Sequence, residues 1–385
     1  MRNYKQHMEK KANNASRKTI VISAVNLNRG GTLRILRECL AYLSGLAVTS
    51  DYRIIAIVYK KELVDFPHIE YIETQWPKKR WINRLWYEYV SLRKVAQQLQ
   101  PIALWLSLHD TTPSVQAERR AVYCHNSFPF LEWDRRDLFF APQIVAFALF
   151  SRFFYRKNIW QNDYLVVQQE WFREAFVRMF KLPFSKIIVA PPHSTVEAAL
   201  QPVAIAAKKK TTFIYPAISD SHKNIECICA AAERLWTSGE HNFEVLLTID
   251  GRENRYTQWL YKRWGKRIPA LRFQGYLDRD TLFNYYQEAD CLIFPSKVET
   301  WGLPISEFSA FKKPMLLADL PYARETAKGN AEVAFFPTNR PALLAEQMHR
   351  LIAGDRSFLH PVAATTMAEP LVRDWAALFK VLLDE

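Results

Sequence analysis

The sequence predicts an α/β protein with two doubly wound domains, each a parallel sheet with helices on both faces. Short apolar runs rich in β-branched residues alternate with segments whose apolar residues recur every three or four positions. The alternation lapses once, in the small-residue and lysine stretch 196–210, and then starts again. We therefore expect two similar domains facing each other across a cleft, with ligands bound at the carboxyl ends of the strands.

The domain boundaries follow from this pattern. We predict an N-terminal domain over 18–200 and a C-terminal domain over 201–365. Residues 1–17 are polar and charged without the apolar stretch of a signal peptide, and are expected to form a disordered basic arm. Residues 366–385 are expected to form a C-terminal helix that could pack back on the N-terminal domain. Strands are expected at 18–25, 52–59, 102–108, 120–126, 163–168, 186–192, 211–217, 243–250, 271–277, 289–296 and 313–319.

The net charge of +13 is unevenly distributed. Residues 1–200 contain 29 Lys and Arg against 17 Asp and Glu, whereas 201–385 contain 23 and 22. This asymmetry indicates that the first half faces an anionic partner, such as nucleic acid, a phospholipid surface or a phosphorylated substrate. A generally basic protein without such a partner is the alternative.

The five cysteines, an odd number in a long chain, argue against a disulfide framework and favour a reducing compartment. Cys227 and Cys229 lie in an apolar helical stretch without a second pair at metal-ligand spacing, so we expect core residues. The longest apolar stretch, 138–150, is shorter than the roughly 18–20 residues that span a bilayer. Cationic and aromatic residues follow it, which would suit an interfacial helix, but a buried core helix is favoured.

Two loops of the first half could bind a ligand. Gly30 and Gly31 lie between the first strand and its helix, where the backbone can approach an anion and the helix N–H groups favour one. Ordinary turn glycines would look the same. His125 ends the fourth strand, in a position to point into the cleft, although a lone histidine is more often structural.

In the second half, Lys223 opens the helix after the first strand. A lysine at a helix N-terminus is unfavourable because the positive end of the dipole repels it, and an anionic ligand would remove that penalty. A solvated lysine is the alternative. Asp278 and Asp280 resemble a D-x-D metal motif, but a helix follows them. We expect Asp280 to be the N-cap and Asp278 a turn residue, and we expect no metal.

Two acids bracket a tight turn in KVETWGLPISEF (297–308). Glu299 lies in the loop after a buried strand, and Pro304 suits the first turn of the next helix, so Glu307 is expected in that first turn. The backbone N–H groups of Gly302 and Leu303 lie between the two acids. Carboxylates accept hydrogen bonds from vicinal diols such as those of sugar rings and ribose. The stretch therefore predicts a compact site for sugar hydroxyls and phosphate.

The stretch SKVETWGLPISEFSAFKKPMLLADLPYARE (296–325) resembles the signature of the retaining family 4 glycosyltransferases. That signature has two glutamates separated by seven residues around a Phe/Trp-Gly-Leu-Pro turn, then a small-residue helix, a proline, a strand and another glutamate. The upstream segment GYLDRDTLFNYYQEADCLIFPS matches the preceding strand, helix and strand of the family. The resemblance is specific over 211–350 and looser over 18–200. It implies the GT-B fold of two Rossmann-like domains, with the acceptor mainly on the first and the nucleotide-sugar mainly on the second.

The resemblance also implies roles for the site residues. Glu307 would bind the ribose hydroxyls and Glu299 the hydroxyls of the transferred sugar. The backbone of Gly302, Leu303, Gly30 and Gly31 would contact the distal phosphate, Lys223 would pair with the diphosphate, and His125 would lie beside the transferred sugar. Gly275 and Tyr276, at the start of the upstream match, are assigned to the donor site. The catalytic residues are thus expected to be Glu299, His125 and Lys223, with Glu307, Gly302, Leu303, Gly30, Gly31, Gly275 and Tyr276 binding the donor.

One departure stands out. Most members have an arginine six residues before the lysine, where this chain has Ala217. The motif Y-P-A followed by H-K-N resembles that of a subgroup common among bacterial O-antigen and capsule transferases. The resemblance implies a metal-independent, retaining hexosyltransferase without a cofactor. Its donor would be a GDP- or UDP-sugar, mannose-like in its hexose, and its acceptor a glycan that could be lipid-linked. Retention fits either front-face attack or a transient covalent intermediate.

Three other functions were considered. A dinucleotide-dependent oxidoreductase would need G-x-G-x-x-G after the first strand, which the chain lacks. A nucleic-acid or membrane-surface binder could use the basic half without catalysis. A sugar phosphorylase or epimerase could use the same fold. The transferase is favoured, with no nucleic-acid partner.

The segment 76–94, WPKKRWINRLWYEYVSLRK, interleaves aromatic residues with Lys and Arg. Such residues suit a membrane interface, where an apolar ring and a cationic tip are both satisfied. We therefore expect the enzyme in the cytoplasm, peripheral on the inner face of the membrane and attached through an anionic surface. Packing of these aromatics against the core is the alternative. The sequence does not determine the donor sugar, the linkage or the oligomeric state.

Overall fold

The computed structural model describes residues 17–192 and 210–383, so most of the predicted arm and of the stretch 196–210 lies outside the described residues. The chain divides into two compact units. The first unit falls within Met1–Asn126, Ser151–His193 and Met367–Glu385, and the second within Ser127–Phe150 and Ser194–Thr366. Segment Ser127–Phe150 thus groups with the second unit, whereas the predicted boundaries assign it to the N-terminal domain. Buried ionic contacts between this segment and other residues of the second unit, described below, account for this grouping.

The first unit contains a seven-stranded parallel sheet with the order β3-β2-β1-β4-β5-β6-β7. Its strands are β1 Thr19–Ser23, β2 Arg53–Val58, β3 Glu70–Glu73, β4 Ile102–Ser107, β5 Arg119–Cys124, β6 Tyr164–Val167 and β7 Ile187–Val189. The second unit contains a six-stranded parallel sheet with the order β10-β9-β8-β11-β12-β13. Its strands are β8 Thr211–Tyr215, β9 Phe243–Leu247, β10 Leu271–Phe273, β11 Cys291–Phe294, β12 Met315–Ala318 and β13 Val333–Phe336.

Helices connect the strands of both sheets. In chain order they are α1 Gly30–Thr49, α2 Trp81–Trp86, α3 Leu92–Gln98, α4 Arg135–Phe140, α5 Pro142–Arg156, α6 Glu170–Phe180, α7 Ile225–Thr237, α8 Arg255–Leu260, α9 Arg279–Glu288, α10 Leu303–Ser309, α11 Pro321–Thr326, α12 Pro341–Ile352 and α13 Trp375–Leu383. A π-helical turn, Tyr87–Ser91, joins α2 to α3, and a second, Tyr261–Gly265, extends α8.

The two predicted doubly wound units are confirmed, and their strand orders explain where ligands bind. In each sheet the first three strands lie in order on one side, starting from a central strand. The later strands lie on the other side of that central strand. This switch point lies between the neighbouring strands β1 and β4 in the first unit, and between β8 and β11 in the second. Ligands of such sheets bind at the carboxyl ends of the strands at this switch point.

Both faces of the first sheet are buried, as the apolar strands require. On β1, Ile20 and Ile22 pack on the α1 side, whereas Val21 packs on the α3 side. The C-terminal helix α13 packs in the first of these cores, where Leu378, Phe379 and Leu382 are buried with residues of α1. All five cysteines are buried, including Cys227 and Cys229 of α7.

The edge strands β3 and β13 were not predicted. Each has four residues and pairs with one neighbouring strand only. In β3, charged residues at both ends of Glu-Tyr-Ile-Glu hide the apolar pattern.

A buried polar cluster connects the π-helical turn of the first unit to the ends of β1 and β4. The Glu88 carboxylate, which is buried, accepts hydrogen bonds from Arg84 Nε at 2.8 Å and from the Thr111 hydroxyl. His109 Nδ1 lies 3.3 Å from the same carboxylate, and its Nε2 lies 2.9 Å from Ser23 Oγ. The π-turn places Glu88 on the inner side of the helix, where a buried charge needs these partners.

Burial alone would raise the pKa of Glu88, but the charges of Arg84 and His109 and the hydrogen bonds outweigh it and lower the pKa to about 2. Because the folded pKa lies below the unfolded value, ionised Glu88 stabilises the fold above about pH 4.3. That stabilisation, about 3 kcal/mol, is lost as the pH falls towards 2. We expect Glu88→Gln to lower the free energy of unfolding at pH 7 and to flatten its acid dependence in urea titrations. The exposed Glu62→Gln is the control; equal acid slopes for Glu88→Gln and wild type would contradict the account.

Candidate active site

The second unit places Lys223 and Glu299 together at the switch point between β8 and β11. Lys223 Nζ lies 2.5 Å from Glu299 Oε1, and each side chain is 15% exposed. Lys223 belongs to the loop after β8 and Glu299 to the loop after β11, so the ion pair joins the two loops that end the neighbouring strands. The sequence identified both residues, but not that they contact each other.

Lys223 does not open the helix as predicted. It ends the short 3₁₀ turn Ser221–Lys223, and Asn224 follows in the left-handed region at φ 56° before α7 begins. The Asn224 amide donates to the carbonyl oxygens of Pro295 at 3.1 Å and Thr338 at 2.9 Å. These bonds stabilise an unfavourable backbone conformation and fix the lysine loop against the loop after β11.

Buried tyrosines connect the same two loops. The Tyr215 hydroxyl donates to the carbonyl oxygen of Lys223 at 2.8 Å and lies 2.9 Å from Ser296 Oγ. The Tyr322 hydroxyl donates to the Ser296 carbonyl oxygen at 2.7 Å. Burial raises the pKa of both tyrosines well above the usual value, so they remain neutral donors. The ion pair therefore rests on a rigid support.

Lys297, two residues before Glu299, is the centre of a buried ionic cluster. Its Nζ lies 2.7 Å from Asp137, 3.1 Å from Asp134 and 3.9 Å from Glu226. Burial opposes the charge of Lys297, but Glu226 and the two aspartates outweigh it and raise the pKa of the ammonium. Since Asp134 and Asp137 begin α4, this cluster attaches the segment Ser127–Phe150 to the site loop within the second unit.

The backbone of Lys297 also orders the site. Its N–H donates to the carbonyl oxygen of His222 at 2.8 Å, immediately before Lys223. His222 is buried, and burial together with Lys223 and Lys297 lowers its pKa well below the usual value, so the ring is neutral. The ring of Phe128 lies edge-on to His222, with centroids 5.0 Å apart. Residues of Ser127–Phe150 thus support both halves of the ion pair.

Gly302 lies in the turn that follows Glu299, and Glu307 lies in the helix that begins after this turn. Gly302 has φ 83° and caps α10, and a Cβ there would lie 3.2 Å from Ile305 Cδ1. Glu307 is the fifth residue of α10, so it lies past the first turn in which it was predicted. The Tyr286 hydroxyl lies 3.4 Å from its Oε2. Leu303 begins the helix beside Gly302, and the glycine conformation required by the turn is present.

The other predicted donor residues of the second unit lie after β10. Gly275 has φ 81° and donates its N–H to the Ile249 carbonyl oxygen at 3.1 Å. Tyr276 is 90% exposed. Asp278, not Asp280, is the N-cap of α9, because its carboxylate accepts from the Thr281 N–H at 3.0 Å. That N–H, together with the Thr281 hydroxyl, lowers the pKa of Asp278.

In the first unit, Gly30 and Gly31 begin α1 after β1, and Gly30 has φ 61°. Lys78 approaches this loop: its Nζ donates to Asn28 Oδ1 at 2.6 Å. Partial burial, followed by the charges of Arg29 and Arg84, lowers the pKa of Lys78. The loop therefore has a concentration of positive charge beside the start of a 20-residue helix, which suits an anion.

His125 follows β5 in the first unit, as predicted. Its Nε2 lies 2.7 Å from the carbonyl oxygen of Leu108, which assigns that nitrogen as an N–H donor. Its backbone N–H donates to Asp110 Oδ1 at 2.7 Å. The Nδ1 atom is buried and has no hydrogen-bond partner among the described residues.

Sequence reasoning missed the residues that support the ion pair. Lys297 and Ser296 lie inside the recognised signature, but their partners Asp137, Glu226 and Tyr215 are distant in the chain. The only signal in the sequence was a polar residue between the apolar strand and Glu299. Such a residue does not indicate which distant side chain it contacts. Among residues 17–192 and 210–383, every helix is too short or too polar to span a bilayer, and no group of three or more His, Cys, Asp or Glu side chains could hold a metal ion.

Comparisons with known proteins bear on the fold and on the family of the second half of the chain. Residues 197–361 match the family described as glycosyl transferases group 1. A sequence search of curated proteins finds no match. Among solved structures, sucrose-phosphate synthase from Thermosynechococcus elongatus has a TM-score of 0.64 at 16% identity, covering 90% of this chain and 92% of that one.

Two further structures have the same architecture. WaaG, a glycosyltransferase involved in lipopolysaccharide biosynthesis, has a TM-score of 0.60 at 13% identity and covers 87% of this chain and 90% of its own. Anabaena HepE, solved with UDP and glucose, has a TM-score of 0.59 at 13% identity, covering 89% and 92%. The chain therefore has the predicted GT-B fold, and residues 197–361 match a glycosyl transferases group 1 domain, which supports a function in glycosyl transfer.

The buried cluster around Lys297 gives a stability prediction. Lys297→Met leaves the carboxylates of Asp137 and Glu226 buried without the ammonium, so the free energy of unfolding should fall by about 3–5 kcal/mol. Adding Asp137→Asn should restore part of the loss, because one buried charge is then removed while the helix-capping contact is kept. Urea unfolding measures both effects. The exposed Lys266→Met is the control; an unfolding energy for Lys297→Met equal to that of the control would show that the cluster is not stabilising.

Proposed function

We propose that the protein is a retaining hexosyltransferase of family 4 that moves a mannose-like hexose from a GDP- or UDP-sugar to a glycan acceptor. In this proposal Glu299 binds the hydroxyls of the transferred sugar, Glu307 binds the ribose diol, and Lys223 pairs with the diphosphate. Gly302 and Leu303 offer backbone donors to the distal phosphate. The acceptor is a lipid-linked glycan, and the product belongs to a cell-surface polysaccharide such as O-antigen or capsule.

The observation that carries the proposal is the ion pair of Lys223 and Glu299 at the switch point of the second sheet. The two side chains lie 2.5 Å apart, next to a glycine turn and a helix start. A cation for a diphosphate and a carboxylate for sugar hydroxyls are thus adjacent, as the anomeric bond of a nucleotide-sugar requires. The Lys223 ammonium and the Glu299 carboxylate pair with each other. A donor would replace this contact, because it offers a phosphate to the ammonium and a diol to the carboxylate.

Leaving-group stabilisation is the main chemical task of such a site. The diphosphate gains charge as the bond to the sugar breaks, and cations and N–H dipoles fixed in position lower that barrier. Lys223 and the amides at Gly302 and Leu303 supply these groups in the second unit. Gly30 and Gly31, with Arg29 and Lys78 nearby, supply them in the first. We propose that these groups act without a metal ion, and that His125 lies beside the transferred sugar.

Gly275 and Tyr276 complete the proposed donor site. The left-handed glycine holds the loop after β10 close to β9, and the exposed tyrosine ring offers a face on which a nucleobase can stack. This assignment concerns binding of the base and not the reaction.

Variants of the two glutamates test the proposal. Glu307→Ala should raise the donor dissociation constant by about tenfold, because a ribose diol loses a charged acceptor worth about 1.5–3 kcal/mol. Glu299→Ala should mainly lower kcat, since it contacts the group that is transferred. Calorimetry and turnover with a panel of UDP-, GDP-, TDP- and CMP-sugars, in excess EDTA, measure both.

The exposed glutamate of α12, Glu346→Ala, is the matched control and should behave as wild type. Wild-type affinity and rate in both site variants would refute the site. Turnover that appears only after manganese or magnesium is added would refute the metal-independent chemistry. Release of free phosphate-linked sugar, or of an epimerised nucleotide-sugar, would instead favour a phosphorylase or an epimerase.

We also propose that the enzyme works at the inner face of the cell membrane, attached in part through 76–94. In this segment Trp76, Trp81 and Trp86 are exposed, together with Lys79 and Arg80. The only acid in the segment, Glu88, is buried. Each cation near an anionic leaflet contributes about 1 kcal/mol, so a few such residues give reversible attachment. Lys78 is not counted, because it hydrogen-bonds to Asn28.

Sedimentation with vesicles of phosphatidylcholine and phosphatidylglycerol tests this attachment. Binding should weaken with salt and drop when Lys79 and Arg80 become serine and when Trp86 becomes serine. Arg80 is the N-cap of α2, and serine is a preferred cap, so the helix should persist. Lys266→Ser with Lys380→Ser removes the same charge from exposed sites elsewhere. Equal recovery in the supernatant for every protein and salt concentration would end the proposal.

A further inference from the structure

A groove with a volume of about 480 Å³ lies in the first unit where the ends of α5 and α6 meet. Neither the donor site nor the segment 76–94 includes its residues. It was not expected from the sequence, which favoured a buried core helix for 138–150 and left its cationic continuation without a role. The residues that define it are Arg152, Phe153, Arg156, Trp160, Phe180 and Lys181.

The walls of the groove are aromatic and unusually exposed. Phe153 is 58% exposed and Trp160 is 49% exposed, whereas Phe180 is buried and forms the floor. The Phe180 ring packs against Tyr155 and Phe176, so the floor is continuous with the core. Large aromatic side chains exposed side by side, next to a cavity, indicate a surface that is covered by an apolar partner.

The rim of the groove is cationic. Arg152, Arg156 and Lys181 line it, and no acid is among the described residues that do. The Arg152 guanidinium lies 5.2 Å from the centroid of the Phe153 ring, so charge and apolar surface are in direct contact. A partner that matches this rim and these walls carries an anionic group next to a hydrocarbon chain.

Lys181 is held in an unfavourable backbone conformation. It follows the last residue of α6 with φ 56°, in the left-handed region where glycine or asparagine is usual. A lysine here costs stability relative to glycine, yet it places an ammonium at the rim. The attraction between this cation and the helix C-terminus offsets part of that cost.

Residues next to those of the groove contact the aromatic segment 76–94. The rings of Trp81 and Phe154 meet edge-on with centroids 4.4 Å apart, and Lys157 lies over the Tyr89 ring at 4.1 Å. All these residues belong to the first unit. The groove and the segment 76–94 therefore belong to the same unit, and both involve the C-terminal end of α5.

We propose that the groove binds an anionic lipid one molecule at a time. The lipid phosphate is bound by Arg152, Arg156 and Lys181, and the hydrocarbon chain lies over Phe153, Trp160 and Phe180. The biological setting, a transferase at a lipid surface, rests on the proposed function, but the binding itself does not. The site is built for phosphate joined to a chain, and neither part alone satisfies both rim and walls.

Titration calorimetry with dodecyl phosphate below its micelle concentration tests the proposal. We expect saturable binding of dodecyl phosphate, with inorganic phosphate and dodecanol each binding at least about tenfold more weakly. Lys181→Gly and Arg156→Gln should each weaken dodecyl phosphate binding by about tenfold, because a charge-assisted hydrogen bond is lost. Lys181→Gly should also keep or raise the unfolding temperature, since glycine suits the left-handed position, so lost binding cannot be ascribed to misfolding.

Lys266→Gln with Lys380→Gln, which removes two exposed charges elsewhere, should bind dodecyl phosphate as the wild type does. Unchanged binding in both Lys181→Gly and Arg156→Gln would overturn the proposal, as would equal affinity for inorganic phosphate. Turnover of a soluble glycan acceptor by the two groove variants distinguishes the two proposals. Retained turnover with lost lipid binding supports the groove independently of the donor site, whereas turnover absent in the wild type refutes the transferase and leaves the groove measurement intact.

Discussion

The contact between Lys223 and Glu299 is the interaction on which the rest of the site depends. It joins the loops that end β8 and β11, at the point where the chain of the second unit changes direction across its sheet. The two partly buried charges lie 2.5 Å apart, and among the described residues each has the other as its ion-pair partner. In the function proposed above, a nucleotide-sugar would offer a diphosphate to the cation and a diol to the carboxylate, so binding would exchange one ion pair for two sets of contacts. The surrounding tyrosines and Asn224 keep both loops in place during that exchange.

Most members of the family that the chain resembles have an arginine where this chain has Ala217. The charges around the ion pair limit which residue can take the place of that arginine. Ala217 occupies its position, and its backbone exchanges hydrogen bonds with the Thr248 hydroxyl. Lys297 is close in sequence, but the carboxylates of Asp134, Asp137 and Glu226 surround its ammonium. Its role is therefore to hold α4 and the site loop together. Lys223 is left as the cation of the second unit assigned to the diphosphate, while Arg29 and Lys78 concentrate charge at the loop of the first unit.

The sequence predicted the central strands and the site glutamates because both depend on local information. Apolar runs of β8 and β11 are long enough to recognise, and the turn around Gly302 needs a glycine at φ 83° that the motif preserves. The edge strands, the grouping of Ser127–Phe150 with the second unit, and the partners of Lys297 and Glu88 depend on contacts between residues distant in the chain. The stretch 138–150 was expected to be a buried core helix, but it belongs partly to α4 and partly to α5, and its Leu138, Phe139, Leu149 and Phe150 side chains are exposed.

The most direct test of the account is the affinity of GDP and UDP, without sugar, for Lys223→Met and Glu299→Gln, measured by calorimetry. If the donor replaces the contact between the two side chains, Lys223→Met loses affinity for the nucleotide diphosphate. Glu299→Gln keeps or gains affinity, because it frees the lysine without removing a phosphate contact, and it loses only the preference for the sugar-linked form. Equal loss of GDP and UDP binding in both variants, or unchanged binding in both, would contradict the assignment of the cation to phosphate and the carboxylate to sugar.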